Sequence, residues 1–141
     1  MKIKVLLVDD EKEFVDTLAE RLEVRDFVVT RAYNSDEAFK GIAQTEVDVV
    51  ILDVLMPGKD GIETLLDIKK SKPLIEVIML TGNATVETAI EGMKRGAYDY
   101  LRKPIDTKEL IEKIVLAYKR KIGQEDRIRQ AHIENIMLRR G

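Results

Sequence analysis

Asp9 and Asp10, Asp53, Thr81 and Lys103 each stand where an apolar run stops. The runs are Val5-Leu6-Leu7-Val8, Val49-Val50-Ile51-Leu52, Val77-Ile78-Met79-Leu80 and, two residues before the lysine, Tyr98-Asp99-Tyr100-Leu101. If these runs are neighbouring parallel strands, all five polar groups meet at one edge of one sheet, the edge where open α/β sheets bind ligands. Three carboxylates in one pocket repel one another, and the arrangement calls for a compensating cation. With oxygen donors and no Cys or His beside them, that cation is expected to be Mg²⁺, which takes a few carboxylates, retained waters and a phosphate oxygen. A phosphoryl group in transfer spreads its charge over three oxygens, to be held by metal, cation and hydrogen-bond donors. Lys103 offers the cation and Thr81 the hydroxyl, while the remaining carboxylate, ionised at neutral pH, can be the nucleophile without a general base.

Singly, each residue has an ordinary structural use. Asp9 or Asp10 could cap a helix, Asp53 could serve the turn-rich segment Met56-Pro57-Gly58-Lys59-Asp60-Gly61, Thr81 before Gly82 could be a turn hydroxyl and Lys103 a solvated amine. Capping and solvation do not account for acid-acid, acid, hydroxyl and amine at the ends of four different strands.

The elements that must position these groups follow from periodicity, which alternates between continuous β-type runs and helical spacing. Strands are expected near 3–8, 27–31, 48–52, 75–80 and 97–101. Helical faces are formed by Phe14, Leu18 and Leu22; by Ala38, Phe39, Ile42 and Ala43; by Ile62, Leu65, Leu66 and Ile68; by Val86, Ala89, Ile90 and Met93; and by Leu110, Ile111, Ile114, Val115 and Tyr118. Ser35 is the expected N-cap of the second helix, Thr107 opens the fifth and Pro73 closes the third. Unbroken Val/Ile/Leu strands are covered on both faces, as in a parallel sheet with helices on each side. Right-handed crossovers reduce five βα units to a few doubly wound orders. Strand order 2-1-3-4-5 is expected, with the switch point between the first and third strands and Asp9, Asp10 and Asp53 facing one another across it.

With 141 residues, 45% hydrophobic and 35% charged, the chain suits one soluble α/β domain. The absence of Cys excludes disulfides and thiolate metal sites, and the lone His132 cannot build a zinc site. The first apolar stretch, after Lys4, ends at Asp9, too short for a signal-peptide core, and no apolar run is long enough to span a bilayer. A cytoplasmic location and no membrane partner are expected. Residues 119–141 carry seven Lys/Arg against three Asp/Glu, leaving 17 against 23 elsewhere, so the tail is +4 and the body −6. The expected division is a domain at 1–121 and a basic helical extension or linker at 122–141. Ile122, Ile128, Ala131, Asn135 and Leu138 form a weak seam at roughly heptad spacing, Ile133, Ile136 and Met137 form a rival stripe, and a frayed extension is the third option. Arg127, Arg129, Arg139 and Arg140 lack a groove-reading motif, and nucleic acid is not expected as a partner of this chain alone.

Four segments resemble the receiver domain of bacterial two-component response regulators: Val5-Leu6-Leu7-Val8-Asp9-Asp10-Glu11, Leu52-Asp53-Val54-Leu55-Met56-Pro57-Gly58-Lys59-Asp60-Gly61, Met79-Leu80-Thr81-Gly82 and Gly96-Ala97-Tyr98-Asp99-Tyr100-Leu101-Arg102-Lys103-Pro104. The resemblance covers about residues 3 to 121 with no element of the pattern missing, and it implies a flavodoxin-like fold. It implies that Asp53 accepts phosphate from a phosphohistidine on a sensor histidine kinase or phosphotransfer protein. Asp10, Asp53 and the backbone carbonyl of Leu55 would bind Mg²⁺ directly, Asp9 would hold it through water, and Thr81 and Lys103 would grip the phosphoryl oxygens. Lys103-Pro104 would be cis. Thr81 and Tyr100 would form the switch, although Tyr100 reads equally well as a half-buried strand aromatic. The fourth helix, fifth strand and fifth helix would report the state, around Ile90, Lys94, Arg95, Tyr100 and Ile105. Leu55 and Asn83 occupy the positions that tune the lifetime of the aspartyl phosphate.

The run Thr81 to Pro104 looks most like receivers that precede ATPase domains in transcriptional activators. A stand-alone phosphorelay intermediate is the alternative, and a homodimer through the reporting face or the C-terminal helix is a further option. Such a protein is not an enzyme beyond its own phosphorylation and dephosphorylation. The enzyme rival is a phosphatase of the haloacid-dehalogenase type, but Asp53-Val54-Leu55 lacks the second aspartate that family places two residues on. A flavodoxin-like nucleotide module is the binding-only rival, without a glycine- or hydroxyl-rich phosphate loop after the first strand.

Overall fold

Short β-branched runs alternate with amphipathic stretches along the chain, and in the computed structural model they become five βα units; residues 2–55, 61–82 and 86–140 are described. The elements are β1 (Lys4–Val8), α1 (Lys12–Val24), β2 (Val28–Ala32), α2 (Ser35–Gln44), β3 (Val49–Asp53), α3 (Gly61–Ser71), β4 (Glu76–Thr81), α4 (Val86–Lys94), β5 (Asp99–Arg102) and α5 (Thr107–Arg140). All strand pairs are parallel, in the order β2-β1-β3-β4-β5.

Because side chains alternate across a strand, each central strand feeds two cores. Leu6, Val8, Val50, Leu52, Val77 and Met79 pack with Ala38, Ile42, Leu65 and Ile68 of α2 and α3. Val5, Leu7, Val49, Ile51, Ile78 and Leu80 pack with Val15, Leu18 and Leu22 of α1 and Leu110, Ile114 and Ala117 of α5. Burial on both faces is why these strands read as continuous apolar runs.

Each strand begins one or two residues later than its apolar run suggests. At β4 the first strand position is Glu76, which is wholly buried. Lys69 Nζ lies 3.5 Å from Glu76 Oε1, and Arg120 Nε lies 2.8 Å from Oε2 as a charge contact without hydrogen-bond alignment. A buried carboxylate needs such compensation, and here it joins α3 and α5 beneath the sheet.

The second helix is capped one residue earlier than expected, whereas α5 opens at Thr107 as its spacing suggests. The N-cap of α2 is Asn34, whose side chain accepts from Glu37 N at 2.8 Å. Ser35 is instead buried and shares a 2.9 Å hydrogen bond with Thr64 Oγ1, joining α2 to α3. Before α5, Asp106 Oδ1 accepts from Lys108 N at 3.0 Å. The third helix stops at Ser71, two residues before Pro73, as the restriction on residues preceding proline favours.

Gly96 closes α4 at φ +107, a conformation that favours glycine, and lets Ala97 N return to Gly92 O at 3.0 Å. Helix α5 runs unbroken for 34 residues through Gly123. No helix among the described residues is long and apolar enough to cross a membrane.

Candidate functional site

Strand register carries the polar groups to one edge in successive rows. Val8 pairs with Leu52 and Asp53 with Leu80, so Asp9 continues β1 beside Asp53, while Thr81 pairs with Arg102 one row further and Lys103 follows. One carboxylate oxygen from each of Asp9, Asp10 and Asp53 lies within 4.8 Å of the others. Asp9 and Asp53 are buried and Asp10 is exposed.

Each buried carboxylate has one oxygen held by backbone and one left for the pocket. Asp9 Oδ1 accepts from Glu11 N and Asp53 Oδ1 from Leu55 N, both at 3.0 Å. Lys103 Nζ donates to Asp9 Oδ2 at 2.6 Å and to Glu11 Oε1 at 3.2 Å, and lies 3.8 Å from Asp53 Oδ2. The same ammonium sits 4.4 Å from the Phe14 ring centroid, a cation–π geometry.

Burial pushes the Asp53 carboxyl up from 3.8 to about 6; the Leu55 N–H pulls the other way, the Asp9 charge pushes further up, and Lys103 offsets part of that. Burial alone would lower the Lys103 ammonium, but Asp9, Asp53 and Glu11 outweigh it and hold it above its usual range. The pocket therefore resists ionisation of Asp53, first through burial and then through the Asp9 charge, even with a lysine inside it. A further cation among the three carboxylates would favour the ionised form, and the all-oxygen donor set suits Mg²⁺.

Thr81 reaches the edge but turns from the carboxylates: its buried hydroxyl donates to Leu101 O at 3.2 Å. Lys103 N donates to Thr81 O at 3.0 Å, tying the lysine loop to β4, and the Lys103-Pro104 bond is cis. Tyr100 is 41% exposed and lines, with Ala89, Ile90, Met93 and Lys94, a hollow of about 330 Å³ between α4 and β5. Leu55 is exposed. Met56 to Asp60 and Asn83, whose spacing pointed to turn and lifetime-tuning roles, lie outside the described residues.

Glu11 and Phe14 were not distinguished by spacing, yet both touch Lys103. The only signal was Glu11 directly following two aspartates. Gly61 is a third addition: its N–H donates to Val54 O at 3.3 Å, and a Cβ there would sit 2.3 Å from Val54 Cα. This close approach brings the start of α3 against the end of β3, next to Asp53.

Residues 5–115 match the family model described as response regulator receiver domain. The chain belongs to that family. An NtrX-like response regulator of Rickettsia typhi is 41% identical over 112 residues, 78% of this chain and 24% of the relative. The receiver domain of the Francisella response regulator 1452 aligns with TM-score 0.78 and 35% identity, covering 84% of this chain and 98% of that one. NtrX of Brucella abortus aligns with TM-score 0.84 and 31% identity, covering 89% of this chain and 29% of that one. The receiver thus spans about a quarter of the length of the curated relatives it matches. A phosphoacceptor role in two-component signalling goes with membership of the family.

Proposed function

We propose that Asp53 is the phosphoacceptor, taking a phosphoryl group from the phosphohistidine of a sensor kinase or phosphotransfer protein. The supporting observation is the juxtaposition of Asp9, Asp10 and Asp53 with the Lys103 ammonium at one sheet edge. An Asp53 carboxylate oxygen attacks phosphorus, the phosphorus–nitrogen bond breaks and the histidine nitrogen regains a proton. Asp53 Oδ2, with Lys103 rather than a backbone donor beside it, is the oxygen suited to attack.

Asp10, Asp53 and the Leu55 carbonyl would hold Mg²⁺ directly and Asp9 through water. When bound, the ion neutralises charge on the carboxylates and on the transferred group. Lys103 is shared among Asp9, Glu11 and Asp53, so its ammonium already stands 3.8 Å from the carboxylate on which a new anion would form. Thr81 would give up its bond to Leu101 O to donate to a phosphoryl oxygen, exchanging a neutral hydrogen bond for a charge-assisted one.

Thr81 and Tyr100 lie on the same sheet face, since Tyr100 pairs with Met79 two residues before Thr81. Movement of the hydroxyl opens space on that face into which Tyr100 can turn, changing the hollow it forms with Ile90, Met93 and Lys94. The surface of α4, β5 and α5 would thereby report phosphorylation to a partner or to a transcriptional output domain. Catalysis is confined to the protein's own phosphorylation and dephosphorylation, in the cytoplasm. Residues 1–121 would form the switching unit and 122–141 its helical extension.

Incubation with a small phosphodonor, with and without Mg²⁺, followed by intact-mass measurement tests the assignment. One acid-labile phosphate is expected on wild type with Mg²⁺ and none on Asp53→Ala. Loading of both proteins, or of neither under conditions that load a control receiver, would overturn it.

A further inference from the structure

The Lys103 ammonium is held by side chains of one short segment. The lysine's backbone N–H donates to Thr81 O at the end of β4. Its Nζ reaches Asp9 Oδ2 at 2.6 Å, Glu11 Oε1 at 3.2 Å and the Phe14 ring centroid at 4.4 Å. Asp9, Glu11 and Phe14 all belong to the end of β1 and the start of α1. Because β3 lies between β1 and β4 in the sheet, a side chain rooted beside β4 and held beyond β1 passes the end of β3, where Asp53 Oδ2 is 3.8 Å from its tip.

Such a hold has to be built, because a long, flexible lysine stem loses rotamer freedom when its tip is fixed. Glu11 contributes from the N-cap position of α1, where its side chain makes no cap hydrogen bond. That carboxylate is 65% exposed, however, and solvent screens it. Phe14 stands one residue before Val15, at the margin of the buried stripe of α1, and is partly buried against the core. Spacing groups it with Leu18 and Leu22 as a core residue, whereas in the fold its ring serves both the core and the ammonium. An aromatic face attracts an ammonium without adding negative charge. In a pocket that already gathers the carboxylates of Asp9, Asp10 and Asp53, a neutral holder fixes the cation without deepening their repulsion.

We infer that Phe14 is a positioning residue for phosphoryl transfer: its ring face holds the Lys103 ammonium beside Asp53, in place for the oxygens of the incoming phosphoryl group. The inference rests on Asp53 as the phosphoacceptor. Phe14 acts through Lys103 and not on the reacting atoms. Ring and bulk can be separated by substitution. Phe14→Leu keeps an apolar side chain for the core and removes the aromatic face, whereas Phe14→Tyr keeps the face. Phe14 also lines, with Thr17, Arg21 and Ile105, an open hollow of about 270 Å³ beside Lys103 that can take in the added hydroxyl.

Two measurements on the whole chain test this, with circular dichroism confirming that each variant is folded. The first is proton NMR with neither phosphodonor nor metal. Protons over an aromatic face resonate upfield, so the Lys103 ε-methylene signal, assigned by its disappearance in Lys103→Arg, should be shifted upfield in wild type and Phe14→Tyr. In Phe14→Leu it should return to the position of a free lysine. The second is the rate of phosphorylation by acetyl phosphate with Mg²⁺, read by intact mass. Phe14→Leu should be slower by about threefold or more, the loss expected of one partly exposed cation–π contact, and Phe14→Tyr should react like wild type. A Lys103 signal unshifted in wild type or unchanged by Phe14→Leu, a Phe14→Leu protein as fast as wild type, or a Phe14→Tyr protein as slow as Phe14→Leu would each overturn the inference. A wild type that gains no phosphate, or an Asp53→Ala protein that gains it, overturns the phosphoacceptor reading and the positioning role with it, and is told apart by an upfield Lys103 signal that remains.

Discussion

Replacing Asp53 by Asn should stabilise the metal-free protein, and the gain should depend on pH. The Asp53 carboxyl rises from 3.8 to about 6 on folding, so the native state resists its ionisation. For an acid whose folded value is raised, the favourable contribution is present below 3.8 and is lost as pH climbs through about 6. The difference of about two pK units corresponds to about 3 kcal/mol of penalty once the group is ionised in both states. Asn has nearly the same shape, keeps an oxygen for the Leu55 N–H and carries no charge toward Asp9. At pH 8 the variant should be more stable by about 3 kcal/mol, or roughly 10 °C in melting temperature for a domain of this size. By pH 4 the two proteins should melt together. Excess Mg²⁺ should narrow the gap at pH 8, because wild type gains RT ln(1 + [L]/Kd) from a site the variant has weakened. Thermal melts from pH 4 to pH 8 in EDTA, repeated with Mg²⁺, measure all of this. A melting difference constant across that pH range, or a wild type more stable than the variant at pH 8 without metal, would refute the reasoning.

Lys103→Met removes the partner of a buried carboxylate at 2.6 Å; urea unfolding should show a loss of about 2–4 kcal/mol at pH 7, accompanied by slower phosphorylation in the mass assay. Gly61→Ala places a methyl 2.3 Å from Val54 Cα, and the backbone shift it forces should cost about 1–3 kcal/mol in the same measurement. Tyr100→Ala removes a side chain that is 41% exposed, so stability should change by less than about 1 kcal/mol; a pull-down with the partner should show the phosphorylation-dependent change in binding lost, and its full retention would sink the switch role of Tyr100.

The sheet was legible because its strands are short, apolar and buried on both faces, so each is written in consecutive residues and its end is marked by a polar group. Strand order followed from handedness and the placement of those groups. Boundaries were less legible: each strand starts a residue or two inside its expected range, β4 at Glu76, a buried carboxylate on which Lys69 and Arg120 converge from two helices. The cap of α2 was displaced by a tertiary contact: Ser35 is a good cap by type, but its hydroxyl is taken by Thr64 from another helix, leaving Asn34 to cap. The extension was ambiguous in spacing because two apolar stripes run along it. Both stripes are exposed in the structure, with Ile128 and Leu138 on one and Ile133, Ile136 and Met137 on the other.

Residue types and spacing alone determined that two acids, a third acid, a hydroxyl and an amine lie together at one sheet edge, and what chemistry they could share. Local pattern suffices for that, since strand direction and register carry the end of each run to the same side. Tertiary structure alone decided how the similar groups differ. Asp53 and Asp9 are buried while Asp10 is exposed, Lys103 is bound most closely to Asp9, and Thr81 is turned to Leu101. Burial and electrostatic field are sums over neighbours distant in sequence, and no window along the chain contains them.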